Sequence, residues 1–115
     1  MVSLTVQNIA QQNDQFRQGD PNVPGQRMIT AGINELLKQL EIPPEKLAAK
    51  IAQFDDFTEQ NDPHAEHDFG AFEFHRHKLF WKIEGYDKYY RMGSDDPSDL
   101  SKTRRVLTIM LADEY

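Results

Sequence analysis

Gly70-Ala71-Phe72-Glu73-Phe74-His75-Arg76-His77-Lys78-Leu79-Phe80-Trp81-Lys82-Ile83 is the stretch on which the fold turns. Apolar side chains recur at every second position, with Phe72 and Phe74 before a polar tip and Leu79, Trp81 and Ile83 after it. A period of two sends alternate side chains to one side of a pleated strand, so the segment reads as a β-hairpin. Aromatic residues suit the half-buried surface that such a hairpin presents. Strict alternation places Trp81 on the core side and Lys82 opposite it. His75, Arg76, His77 and Lys78 then form a basic tip: either it touches phosphate or an acidic partner, or it is polar because a solvent-exposed turn has no use for apolar groups. Phe80 and Tyr86 to Tyr90 extend the hairpin or cover its edge.

Moving from the hairpin toward the N-terminus, residues 55–68 hold six acids and no Lys or Arg, with Pro63 among several turn-forming Asx residues; this predicts a long acidic loop. Before it, Pro44 suits the first turn of a helix that carries Leu47, Ile51 and Phe54 on one face and ends near Phe54. Ile33, Leu36, Leu37 and Leu40 share a face of another helix, which Pro43-Pro44 ends, and Arg27 to Thr30 form a short strand leading into it. Gly19, Pro21, Pro24 and Gly25 mark a loop, and Val6, Ile9, Asn13 and Phe16 predict a first helix over residues 4–18 with Ser3 or Thr5 as cap. Beyond the hairpin lies a second acidic loop, Ser94 to Asp99, whose Asp96-Pro97-Ser98-Asp99 has the form of a helix start. Leu100, Thr103, Leu107 and Met110 lie on one helical stripe, widened by Val106, Ile109 and Leu111, and predict a closing helix; a buried strand over Val106 to Leu111 is the competing reading. The expected fold is α+β, one domain over residues 1–115: N-terminal helices, a small antiparallel sheet centred on the hairpin, and a closing C-terminal helix. Phe54, Phe57, Phe69, Phe72, Phe74, Leu79, Trp81, Ile83, Leu107 and Met110 are the expected core.

Composition narrows the chemistry. The chain has 115 residues, 13 Lys plus Arg against 19 Asp plus Glu, a net charge of −6, 38% hydrophobic residues and no cysteine. A chain of this length buries enough surface to fold without a metal or disulfide. The missing cysteine removes disulfides, thiol nucleophiles and sulfur-ligated clusters. No apolar run of membrane-spanning length and no secretory leader is visible, so a cytoplasmic protein with no membrane contact is expected. The acidic balance argues against direct nucleic-acid binding, although Lys82, Lys88 and Arg91 interleave with Trp81, Tyr86, Tyr89 and Tyr90. No nucleophile elbow, phosphate-cradling loop or nicotinamide fingerprint is present, and no cofactor is implied.

Two site readings follow. Asn61, Asp62, His64, Glu66, His67 and Asp68 gather oxygen and imidazole donors into eight residues. Asp62, His64, Glu66, His67 and Asp68 therefore form a candidate divalent-metal site for a hydrolase or nuclease, with His64 or His67 as base and Arg105 balancing phosphate charge. The segment lacks both the ligand order of an EF-hand and the two-His helical spacing of metalloproteases, and the same side chains serve equally as loop caps. The second reading uses the acids as a binding surface: Asp55, Asp56, Glu59, Asp62, Glu66, Asp95, Asp96 and Asp99 meet a basic surface on a protein partner. Arg104 and Arg105 sit poorly at a helix start, a conflict resolved if one clamps Asp68 or Asp56, or if they face a cleft beside His67 and Asp68 as an anion site.

The run Asn61-Asp62-Pro63-His64-Ala65-Glu66-His67-Asp68-Phe69-Gly70-Ala71-Phe72-Glu73 resembles an uncharacterised family of short bacterial proteins known only as a domain of unknown function. Phe54-Asp55-Asp56-Phe57-Thr58, Phe80-Trp81-Lys82-Ile83, Tyr86-Asp87-Lys88, Gly93-Ser94 and Arg105-Val106-Leu107-Thr108-Ile109-Met110-Leu111-Ala112 extend the likeness from Ile9 to the C-terminus. Ala65 departs from the glycine of that pattern. The family supplies no catalytic residue. Its occurrence on plasmids and phage-like elements, among genes that counter host defence, implies a mobile-element accessory protein. With the small size and the acidic loops, this gives the expected function: stoichiometric binding that inhibits a host nucleic-acid-targeting complex, of anti-CRISPR or anti-restriction type. The expected partner is a nuclease or CRISPR surveillance subunit. The chain itself is expected to be a monomer, or a homodimer joined through a sheet edge.

Overall fold

The computed structural model describes residues 2–115. The first helix, α1 (Leu4–Arg17), starts at Ser3, whose hydroxyl accepts from the Val6 amide at 3.2 Å, and the chain leaves it through Gly19 at φ +96°. A short strand, β1 (Gly25–Ile29), leads to α2 (Ala31–Leu40), capped by the Thr30 hydroxyl accepting from the Ile33 amide. Glu41 closes α2 in the left-handed region, and the Ile42 amide reaches back to the Leu37 carbonyl. Pro44 opens α3 (Pro44–Ala52), where a missing amide costs nothing.

The hairpin is β2 (Phe69–Phe74) and β3 (His77–Tyr86), joined by His75 and Arg76 at φ +48° and +69°. Phe74 pairs with His77, so the tip is a tight two-residue turn rather than four residues long. Gly70, Phe72 and Phe74 share a face with Leu79, Trp81 and Ile83, as the alternation requires.

The predicted closing helix is instead a strand, β4 (Arg104–Leu111), ending in a 3-10 turn, Ala112–Glu114. Its stripe misleads because β4 is a central strand in the sheet order β1-β4-β3-β2, apolar on both faces. Leu107 and Ile109 face the helices while Val106, Thr108 and Met110 face the other way, and periodicity cannot separate such a run from a buried helix. The Asp96-Pro97-Ser98-Asp99 segment likewise forms turns, not a helix start. The sheet is mixed rather than antiparallel, since β1 runs parallel to β4 while β2, β3 and β4 form an antiparallel meander. The fold is therefore α+β, with three helices on one face of a four-stranded sheet.

Between helices and sheet lie Phe16, Ile33, Leu36, Leu37, Leu47 and Ile51, packed on Leu79, Trp81, Ile83, Leu107 and Ile109. Trp81 and Leu79 are wholly buried. Of the expected core, Phe54, Phe57 and Phe72 pack at its margin, and Met110 is buried on the opposite face. Phe69 also turns to that face, where it packs with Phe80 and Tyr115 at ring separations of 5.1 and 5.7 Å. Gly70 has no room for a side chain, because a Cβ there would enter the Trp81 indole and the Phe54 ring. No helix among the described residues is long and apolar enough to cross a membrane.

Candidate functional site

The acidic segment between α3 and β2 is a braced loop. The Thr58 amide donates to Asn61 Oδ1 at 2.7 Å, the Asn61 amide donates back to Thr58 Oγ1, and Asn61 Nδ2 donates to the Asp56 carbonyl at 2.8 Å. The Asp62 amide closes on the Thr58 carbonyl at 2.8 Å. Asp62 is buried, and both of its carboxylate oxygens accept from the His67 amide. Reciprocal Asx and hydroxyl bonds of this kind fix a loop that has no ladder to join. Ala65 and His67 nevertheless carry φ of +56° and +55°.

His67 anchors this loop to the first helix. Its Nδ1 lies 3.0 Å from both oxygens of Asp14, and since a carboxylate accepts only, Nδ1 carries the proton. Its Nε2 faces Asp62 Oδ2 at 3.6 Å, and its ring stacks on Phe57 at 3.9 Å and 4°. Asp14 also pairs with Arg17 at 2.7 Å. Arg17 is buried and donates to the carbonyls of Ile51, Ala52 and Phe54, so it caps the end of α3 while lying over the Phe57 and Trp81 rings. Arg17, Asp14, His67 and Asp62 thus form one chain of polar contacts from the core to the loop. A general base needs its free nitrogen turned toward substrate, whereas here both imidazole nitrogens face carboxylates.

On the other side of α1, Arg105 is 1% exposed. Its Nε donates to Asn13 Oδ1 at 2.7 Å, and its Nη2 donates to Gln12 Oε1 at 3.1 Å and to the Pro97 carbonyl at 2.9 Å. Burial lowers its pKa to about 10, which leaves it protonated at neutral pH. The expected clamp from one of Arg104 and Arg105 to Asp68 or Asp56 is therefore replaced, at Arg105, by a clamp onto neutral acceptors. Arg104 spends its Nη1 on the Leu100 and Thr103 carbonyls. Both arginines belong to a strand, so the conflict with a helix dipole disappears. Arg105 does line a cleft of about 240 Å³ with Asn13, Glu66, Asp68 and Glu84. Desolvation, followed by repulsion from neighbouring acids, raises the pKa of Glu66; burial is also the largest cause raising that of Asp68.

The predicted site residues therefore divide. Asp55, Asp56, Glu59 and Asp95 are exposed. Asp62 is inside, and Glu66 is half-buried in the Arg105 cleft with Asp68. Asp96 accepts from the Ser98 amide and hydroxyl, and Asp99 from those of Ser101, which holds the Asp99 carboxyl below its ordinary pKa. Of the five candidate metal ligands, His64 is exposed, His67 and Asp62 bond each other, and Glu66 and Asp68 face the cleft. Among the described residues no group of three or more His, Cys, Asp or Glu is arranged to hold a metal ion.

Asp14 and Arg17 escaped the sequence reading, and Asn13 was read only as a position on the stripe of the first helix, not as a partner of Arg105. Their signal was a polar residue on an apolar stripe, since Asn13 occupies a core position of α1 and Arg17 follows Phe16 into the interior. No curated protein and no solved structure matches the chain. A family described as a protein of unknown function, DUF3768, matches residues 29–114, which takes in the acidic loop, the hairpin and β4 while leaving α1 outside. By that match the chain belongs to the DUF3768 family.

Proposed function

We propose that the chain acts by stoichiometric binding, presenting Asp55, Asp56 and Glu59 on the braced loop to a basic groove of a protein partner. The observation that supports this reading is the division of labour within the loop. Asn61, Asp62 and His67 hold the backbone, while the three outer acids are exposed and form no ion pair among the described residues. Charges on a pre-formed loop lose little conformational freedom on docking, and they steer and register a basic partner. The mobile-element setting implied by the family resemblance supplies the partner class: a nuclease or a CRISPR surveillance subunit whose nucleic-acid groove is blocked in the bacterial cytoplasm. A net charge of −6 is modest for a full DNA mimic, so direct protein contact supplies the affinity and the acids supply register.

The test is affinity capture from a bacterial lysate at low and moderate salt, with wild type against the triple variant Asp55→Lys, Asp56→Lys, Glu59→Lys. All three positions are exposed, so the variant is expected to melt with wild type. A nucleic-acid-handling protein retained by wild type and lost by the variant is the expected result. Equal capture by both proteins, or capture by neither, sinks the proposal.

A further inference from the structure

Away from the acidic loop, a cavity of about 460 Å³ opens between α3 and the edge strand β1, a size within the range of small-molecule sites. Its floor is the helix-facing side of the sheet, Leu107 and Ile109, and α3 contributes Leu47, Ile51 and Ala48 to its wall. Neither α2 nor α3 covers β1, which leaves Ile29, on the helix-facing side beside Ile109, at 40% exposure next to it.

The charge around this apolar space is one-sided. In a chain with 19 acids, no Asp or Glu lines the cavity, yet Arg17 and Arg27 do. Arg17 is already neutralised by Asp14. Arg27 forms no ion pair among the described residues; its guanidinium lies over the Phe16 ring at 4.6 Å and donates to the Phe16 carbonyl. Partial burial against Phe16 also lowers its pKa from the ordinary arginine value. A guanidinium without an ion-pair partner at the rim of an apolar cavity is complementary to an apolar body ending in an oxyanion, of which a carboxylate is the smallest planar match to its fork.

We propose that this cavity binds a small amphipathic carboxylate, with its chain over Leu107 and Ile109 and its head group paired to Arg27. A second copy of this chain is the less suitable occupant, because antiparallel pairing of two β1 edges brings Arg27 toward its own counterpart.

The test is calorimetric titration of the full chain with decanoate, decanol and decyltrimethylammonium, with light scattering at matched concentrations. Arg27→Gln removes the charge at an exposed position, and Ala48→Trp fills the cavity from an exposed wall residue. Decanoate is expected to bind one to one, decanol and the ammonium at least about tenfold more weakly, as expected for one charge-assisted hydrogen bond. Arg27→Gln is expected to cost decanoate a similar factor, and Ala48→Trp to abolish binding, with both variants melting near wild type. Decanol binding as tightly as decanoate, or decanoate indifferent to Arg27→Gln, overturns the anion site. So does the absence of any binding, or a wild-type dimer that Ala48→Trp disperses.

Discussion

Ala65 is held at φ +56°, where its methyl group crowds the backbone carbonyl and costs roughly 1–2 kcal/mol. The loop holds it there because the Ala65 amide must reach the Asp62 carbonyl at 3.0 Å. Glycine removes the clash and gives back part of the gain as chain entropy. Ala65→Gly is therefore expected to stabilise the fold by about 0.5–1 kcal/mol, read as a higher urea midpoint at unchanged slope; a lower midpoint contradicts the strain. Asp68 gives a prediction in pH. Its folded pKa is raised, so the stability linked to its protonation is full below the ordinary carboxylate value and is lost as pH rises through the raised value. At pH 7 the ionised group sits where burial disfavours it. Asp68→Asn is expected to melt above wild type at pH 7, with the gain vanishing at acid pH; a variant that melts lower at pH 7 shows that contacts to the carboxylate outweigh its desolvation.

At the scale of elements, the hairpin turn is the point of conflict between sequence and geometry. A two-residue turn with both φ values positive favours Asn-Gly, yet His75 and Arg76 occupy it at +48° and +69°. Replacing them together, His75→Asn with Arg76→Gly, is expected to add about 1 kcal/mol by the same left-handed cost, seen as a rise of several degrees in Tm. A fall would mean that the basic tip makes contacts worth more than the strain. The hairpin was readable because strict alternation belongs to strands alone, and Pro44 and Ser3 marked helix starts through local chemistry, whereas Thr30, read as a strand end, caps α2. Strand β4 was readable only as the competitor of a closing helix, because a central strand apolar on both faces carries no period that separates the two. The parallel partnership of β1 with β4 was hidden too, since nothing local in Gly25–Ile29 names a partner 80 positions away (105 − 25 for the Gly25 and Arg105 pair). The candidate site was half legible for a similar reason: Asn61 to Asp68 stand together in the sequence, while Asp14 and Arg17, which hold His67 in place, come from α1.

For the whole molecule, Trp81 is the junction of sheet, helix and loop. Phe54 and Phe57 meet its indole edge-on at centroid distances of 5.4 and 6.2 Å, and Arg17 lies over it at 5.4 Å. Trp81→Ala is expected to cost about 3–5 kcal/mol and, because Phe57 also stacks on His67, to raise hydrogen exchange across residues 55–68 before global unfolding. A loss under about 1 kcal/mol, or exchange that rises uniformly, would detach the loop from this junction. The acidic loop and the core are in this sense one structure.

The pairing of β1 with β4 also bears on how the protein is made. The β2–β3–β4 meander is contiguous in the chain, but β1 must wait until residues 104–111 have emerged from the ribosome. At translation rates of ~5–20 residues per second, the interval for those 80 residues is roughly 4–16 s. Throughout it Met28 and Ile29 sit on a strand with nothing to lie against. Slow codons between residues 30 and 104 would prolong that vulnerable window without altering a single contact of the finished fold.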